Sequence, residues 1–144
     1  MEQRSVLITG CSTGIGYVSA KMLSRRGYRV FAAARKQADV ERLNAEGLEG
    51  VTLDLADGES IGRAIDDVLE RSGGRLYALL NNGAYGQPGA VEDLTTDVLR
   101  AQFEVNFFGW HELTRRVIPG MREHAEGRII QVGSILGITP LKYR

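Results

Sequence analysis

The stretch VLITGCSTGIG, residues 6–16, decides the fold, because two periodicities meet inside it. Val6, Leu7, Ile8 and Thr9 form a short apolar run that Gly10 interrupts. Beyond the glycines, Ile15, Val18, Met22 and Leu23 recur at helical spacing until Gly27. A strand that passes through a tight turn into a helix is the opening unit of a wound α/β sheet, and ligands of such sheets sit at the carboxyl ends of the strands. There the unpaired N–H groups of a helix N-terminus carry partial positive charge suited to a pyrophosphate. In this loop Gly10 is expected to permit the turn, Gly14 to let phosphates approach the backbone, and Gly16 to let the helix lie close to the sheet. Ser12, Thr13 and Ile15 complete the phosphate-facing segment. A glycine-rich turn without a ligand has the same spelling, but the strand before it and the helix after it favour a nucleotide.

The rest of the chain repeats the unit. Residues 29–34 (RVFAAA) read as a second strand, 39–46 as a short polar helix ending at Gly47, and 51–55 (VTLDL) as a third strand. Ile61, Ala64, Ile65, Val68 and Leu69 mark an amphipathic helix closed by Gly73 and Gly74. Residues 76–80 (LYALL) form the fourth strand. A helix over 95–105, capped by a threonine, precedes a longer one from 106 to about 121, with Phe107, Trp110, Leu113, Thr114, Val117 and Met121 facing inward. Residues 128–132 (RIIQV) make the fifth strand. Strands alternating with helices, without hairpin signals, imply right-handed crossovers and a doubly wound parallel sheet covered on both faces. Nothing in the chain reads as a linker or repeat, so residues 1–144 are expected to form one domain.

Composition narrows the partners. Eighteen Lys and Arg balance eighteen Asp and Glu, which leaves no basic field for nucleic acid. Cys11 is the only cysteine, so neither an intrachain disulfide nor a cysteine-built zinc site is possible, and no metal is expected. No stretch has the length and apolarity of a membrane span or a signal peptide, from which a cytoplasmic location and no membrane partner are expected. Cys11 lies where the loop needs a small residue, and His111 and His124 fall far along the chain on a helix, so no nucleophile and base pair forms there.

The spacing T-G-x-x-x-G-I-G resembles that of the classical short-chain dehydrogenase/reductase family, and the likeness continues in order along the chain. Asp54 and Leu55 are similar to the family's adenine-contacting segment, and Asn81, Asn82, Gly83 and Ala84 to its N-N-A-G segment with the last two letters exchanged. Asn106 matches the active-site Asn and Ser134 the active-site Ser. The resemblance implies a Rossmann-like sheet of strand order 3-2-1-4-5. It also implies hydride exchange between a nicotinamide cofactor and a small carbonyl or alcohol substrate, and a homo-oligomer in the full-length form. Ser134 would hydrogen-bond the substrate oxygen, and Asn106 would hold a water of the proton relay. An NAD site would place an acid at Ala34; with Arg35 and Lys36 beside it, NADP is the expected cofactor.

The family's Y-x-x-x-K pair puts Tyr and Lys on one helix face. Lys142 precedes Tyr143, which only Arg144 follows, so these residues cannot form that pair. The matching Tyr is expected just past residue 144, and the 144-residue chain alone is expected to be inactive. A non-catalytic nucleotide-binding or interaction module with the same fold is the alternative. A sugar-nucleotide epimerase or dehydratase of the extended type disagrees with the spacing of Gly10, Gly14 and Gly16.

Overall fold

The structure, a computed structural model, describes residues 3–143. Five strands, β1 (Ser5–Ile8), β2 (Arg29–Ala34), β3 (Glu49–Thr52), β4 (Leu76–Asn81) and β5 (Arg128–Gln131), form one parallel sheet in the order β3-β2-β1-β4-β5. Helices α1 (Gly14–Arg25) and α2 (Gln37–Ala45) cover one face. Helices α3 (Gly58–Arg71) and α5 (Gly109–Glu123) cover the other. Helix α4 (Thr96–Phe103) runs through a π-helical turn (Glu104–Phe108) into α5.

Alternation along β1 divides the core. Leu7 joins Phe31, Leu79, Ile61, Ile65, Leu113 and Val117 on the α3/α5 side, whereas Val6 and Ile8 join Val30, Ala32, Val40, Leu43 and Leu80 on the α1/α2 side. All four residues of β1 are buried, as a central strand with both faces covered requires. On the edge strand β5 none is.

Four expectations need correction. The apolar row Ile15, Val18 and Met22 of α1 faces outward, and Gly16 and Ala20 are the buried residues. The small residues bring the helix axis close to the sheet, and that approach sets the rotation of α1. The third strand begins and ends earlier than expected, because its ladder stops at Thr52 opposite Ala34, the last residue of β2. Leu53 and Leu55 stay buried beyond the last rung, which explains why the alternation read as a longer strand. The break expected between residues 105 and 106 is a π-turn within one helical run, and Phe107 on it is exposed rather than inward. Finally, α2 starts at Gln37, two residues before its first acidic residue, Asp39.

Candidate dinucleotide site

Thr9 leaves the end of β1 with its hydroxyl fully buried. Thr9 Oγ1 accepts from the backbone N–H of Asn82 at 2.9 Å and of Gly83 at 2.8 Å. Asn82 Nδ2 returns the connection by donating to the carbonyls of Thr9 (3.0 Å) and Gly10 (3.3 Å). The loops after the neighbouring strands β1 and β4 are thus stitched together in both directions. That closeness demands glycine. A Cβ on Gly10, whose φ is +70°, would stand 2.6 Å from Gly83 Cα, and one on Gly16 would meet Gly10 O and Asn82 Nδ2.

Gly14 has the opposite surroundings. Its φ is +62°, and no atom lies within 4 Å of the position a Cβ would take. Thr13 N-caps α1 without a side-chain hydrogen bond, so the first N–H groups of the helix face open space beside the exposed hydroxyl-bearing segment. A crowded inner wall with an open, uncapped outer turn fits the pyrophosphate of a dinucleotide.

A cleft of about 710 Å³ opens next to this turn, lined by Gly10, Ser12, Arg35, Asp54, Leu55, Gly83 and Ala84 together with Thr9, Tyr85, Glu104 and Val105. Seven of the residues expected from the sequence therefore meet around one space. Asn82 and Gly16 stand behind it as scaffold, while Thr13 lines the neighbouring recess and Gly14 and Ile15 lie exposed at the start of α1. Asp54 Oδ1 accepts from Ala56 N at 3.0 Å, which fixes its turn, and the cap of α3 is Asp57, accepting from Glu59 N at 2.9 Å.

The outer wall is held from α5 and the π-turn. The Trp110 indole packs against the core, and its N–H donates to Gly83 O at 2.7 Å. Asn106 clasps the backbone of Tyr85: Oδ1 accepts from its N–H at 3.1 Å and Nδ2 donates to its carbonyl at 2.7 Å. Ser134 lies on the exposed segment after β5, where its Oγ accepts from Leu136 N at 3.1 Å. Neither Asn106 nor Ser134 lines the cleft itself. Tyr143 is exposed at a φ of 62°, and its carbonyl accepts from Gly89 N at 3.1 Å.

Beside the main cleft lies a smaller recess of about 410 Å³ lined by Ser12, Thr13, Arg35, Lys36 and Asp39. The residues after β2 lead one to expect only positive charge here, but the first turn of α2 brings Asp39 into the same space, which bears on cofactor choice. Cys11 is buried under the loop, its thiol donating toward Ile8 O at 3.2 Å, and burial pushes its pKa up to about 12. Such a thiol is inert at neutral pH. Another cavity, of about 510 Å³, sits at the amino-terminal end of the sheet, but its Arg4 and Arg29 are paired with Glu126 and Glu49.

Among the described residues no helix is long and apolar enough to cross a membrane, and no group of three or more His, Cys, Asp or Glu side chains is placed to hold a metal.

Comparison with known proteins agrees with this geometry. The short chain dehydrogenase family profile matches residues 4–143. The uncharacterized oxidoreductase YbbO of Escherichia coli (strain K12) is 46% identical over 136 residues, covering 94% of this chain and 51% of that protein. A short-chain dehydrogenase from Streptomyces avermitilis superimposes with a TM-score of 0.92 at 34% identity, covering 99% of this chain and 53% of the other. A variant of actinorhodin polyketide ketoreductase, solved with NADPH, superimposes with a TM-score of 0.89 at 29% identity over 98% and 57% of the two chains. The chain spans about half the length of the curated relatives it matches.

Proposed function

This chain belongs to the short-chain dehydrogenase family, and on that premise we propose that it supplies the cofactor-binding part of an NADP-dependent oxidoreductase interconverting a carbonyl and an alcohol. The observation that carries the proposal is the cleft and the recess at the carboxyl ends of β1, β2 and β4, which share Ser12 and Arg35 as lining beside the uncapped start of α1. Gly10, Gly14 and Gly16 shape the turn for the pyrophosphate; Asp54 and Leu55 stand at the adenine end; Gly83 and Ala84 line the wall toward the nicotinamide end. Arg35 reaches both spaces and has no carboxylate partner among the described residues, which leaves it for a 2′-phosphate. NADP, when bound, supplies the hydride acceptor or donor.

The chain's own residues orient the reactants. Ser134 donates its hydroxyl proton to the substrate oxygen, and the bond its Oγ accepts from Leu136 N leaves that proton free to do so. Asn106 fixes Tyr85 and so the floor between cofactor and substrate, with its remaining hydrogen-bonding capacity available to a water of the proton relay. In the family the acid–base step is carried by a Tyr and a Lys four residues apart on one helix face, a spacing that Lys142 and Tyr143 do not have. The exposed row Leu99, Phe103, Phe107 and Phe108 supports a homo-oligomer.

The test is a titration of the full-length protein with NADPH and NADH, followed by reduction assays over a carbonyl panel. Wild type is expected to favour NADPH, and Arg35→Ala to weaken NADPH by about ten- to a hundredfold with little change for NADH. Equal wild-type affinities would remove the cofactor assignment. Tight NADPH binding without turnover on any carbonyl would favour the non-catalytic module instead.

A further inference from the structure

Arg42 lies on α2, outside the lining of both spaces, yet its guanidinium reaches the glycine-rich loop. Nη2 donates to the Ser12 carbonyl at 2.6 Å and stands 3.5 Å from Asp39 Oδ1. Nη1 donates to Glu46 Oε1 at 3.1 Å, and the group sits 5.2 Å from the Tyr17 ring centroid. One planar cation thereby touches the loop, the acid in the recess and the carboxyl end of α2.

We propose that Arg42 is a specificity-determining positioning residue for the dinucleotide: it masks Asp39 in the recess that takes the 2′-phosphate and anchors Ser12 on the other side of that recess. The proposal rests on the NADP reading above. The recess presents two hydroxyls, two cations and one carboxylate. Left bare, Asp39 opposes a 2′-phosphate and offers an acceptor to the 2′-hydroxyl of NADH, so its charge bears on the choice between the two. Glu46 competes for Arg42, but it also accepts from Tyr17 Oη at 2.6 Å and pairs with Lys21 at 3.3 Å. Arg42 therefore keeps a donor for Asp39 and another for Ser12. A fork of several N–H groups can serve three acceptors at fixed angles, which an ammonium group on a flexible stem cannot do.

The two roles separate by experiment. Loosening Ser12 weakens both cofactors alike, because the loop holds the pyrophosphate common to them. Unmasking Asp39 weakens only the phosphorylated one. Dissociation constants for NADPH and NADH, with adenosine 2′,5′-bisphosphate and AMP as nicotinamide-free probes, are to be measured on the full-length protein and its variants. Arg42→Ala is expected to lower affinity for every probe and to reduce the NADPH-to-NADH ratio by a further factor of about five to ten. Adding Asp39→Asn is expected to restore the ratio while the common loss remains. Arg42→Lys is expected to keep most of the ratio and lose affinity for both cofactors. A wild type without NADPH preference would remove the NADP reading and this inference with it. A wild type that prefers NADPH, with the same ratio in Arg42→Ala, would overturn the role of Arg42 alone. Asp39→Asn in the wild-type background provides a check independent of Arg42→Ala folding: the ratio should barely move, and a rise approaching tenfold would mean that Asp39 was never masked.

Discussion

The loop after β1 and the segment after β5 leave the same sheet at the same end, and they are built in opposite ways. The first is interlocked: Thr9 is inaccessible to solvent, Gly10 and Gly16 have no room for a side chain, and Asn82 spans from the next loop to hold both carbonyls. The second is open. From Arg128 to Tyr143 no residue is buried, Ile135 and Ile138 are 71% and 91% exposed, and Ser134 makes only local bonds, accepting from Leu136 N through its side chain and from Gly137 N through its carbonyl. Among the described residues, backbone bonds tie it to the rest through Val132 N to Asn81 O at 2.9 Å and Gly89 N to Tyr143 O at 3.1 Å, and Val132 packs against the α1/α2-side core. One region completes its packing within these residues; the other has chemistry-bearing groups on a surface that its own neighbours leave uncovered. On the proposed function, the loop after β1 would hold the cofactor on a surface already fixed by packing, whereas Ser134 would meet its substrate from an exposed segment.

The largest expected effect tests the open region. In the full-length protein, Ser134→Ala is expected to lower turnover by about 10²- to 10³-fold with cofactor affinity and melting temperature almost unchanged. A loss of cofactor binding without a loss of turnover would break the division of labour. Next comes a pair of glycine substitutions. Gly16→Ala pushes a methyl group against the Gly10 carbonyl and Asn82, and should destabilise by about 3 kcal/mol in urea unfolding. Gly133→Ala meets nothing within 4 Å and should stay within about 0.5 kcal/mol. Equal shifts would show that the two regions are not built differently.

Thr9→Val sharpens the same contrast by deleting a hydrogen bond acceptor without changing shape. The N–H groups of Asn82 and Gly83 lose their partner, and a loss of about 2 kcal/mol is expected. Activity should fall with it, since the stitched loops form the cleft wall.

The smallest effect is a pH dependence. On α5 the Glu112 carboxyl is drawn down to about 2 by hydrogen bonds from Arg115 and then Arg116. Its folded pKa lies below the unfolded value of 4.5, so its contribution is complete above 4.5 and disappears as the pH falls from there toward 2. Stability measured against pH should decline across that interval, and Glu112→Gln should flatten the decline.

Much of this architecture is present in the order of the letters. Strand and helix types follow from local period, and the α3 stripe of Ile61, Ala64, Ile65 and Val68 is buried as its spacing requires. The glycines at 10 and 14 announce a tight turn into a helix, because few other residues tolerate their positive φ, and Gly16 announces a close approach of that helix to its own loop. Arg35, Asp54, Gly83 and Ala84 follow strand ends, and strand ends of a parallel sheet converge, so their meeting around one cleft was legible once the order of the elements was. Only the tertiary structure decided the rest. The outward turn of Ile15, Val18 and Met22 depends on how closely α1 approaches a carbonyl of its own loop, a distance that hydrophobicity does not encode. The hydrogen bonds of Thr9 to Asn82, Trp110 to Gly83, Asn106 to Tyr85 and Arg42 to Ser12 join residues between 21 and 73 positions apart. Such bonds leave no local pattern. A polar side chain finds its partner only after the sheet has brought distant loops together, and so the sequence specifies which groups reach the crevice while packing determines what each of them holds.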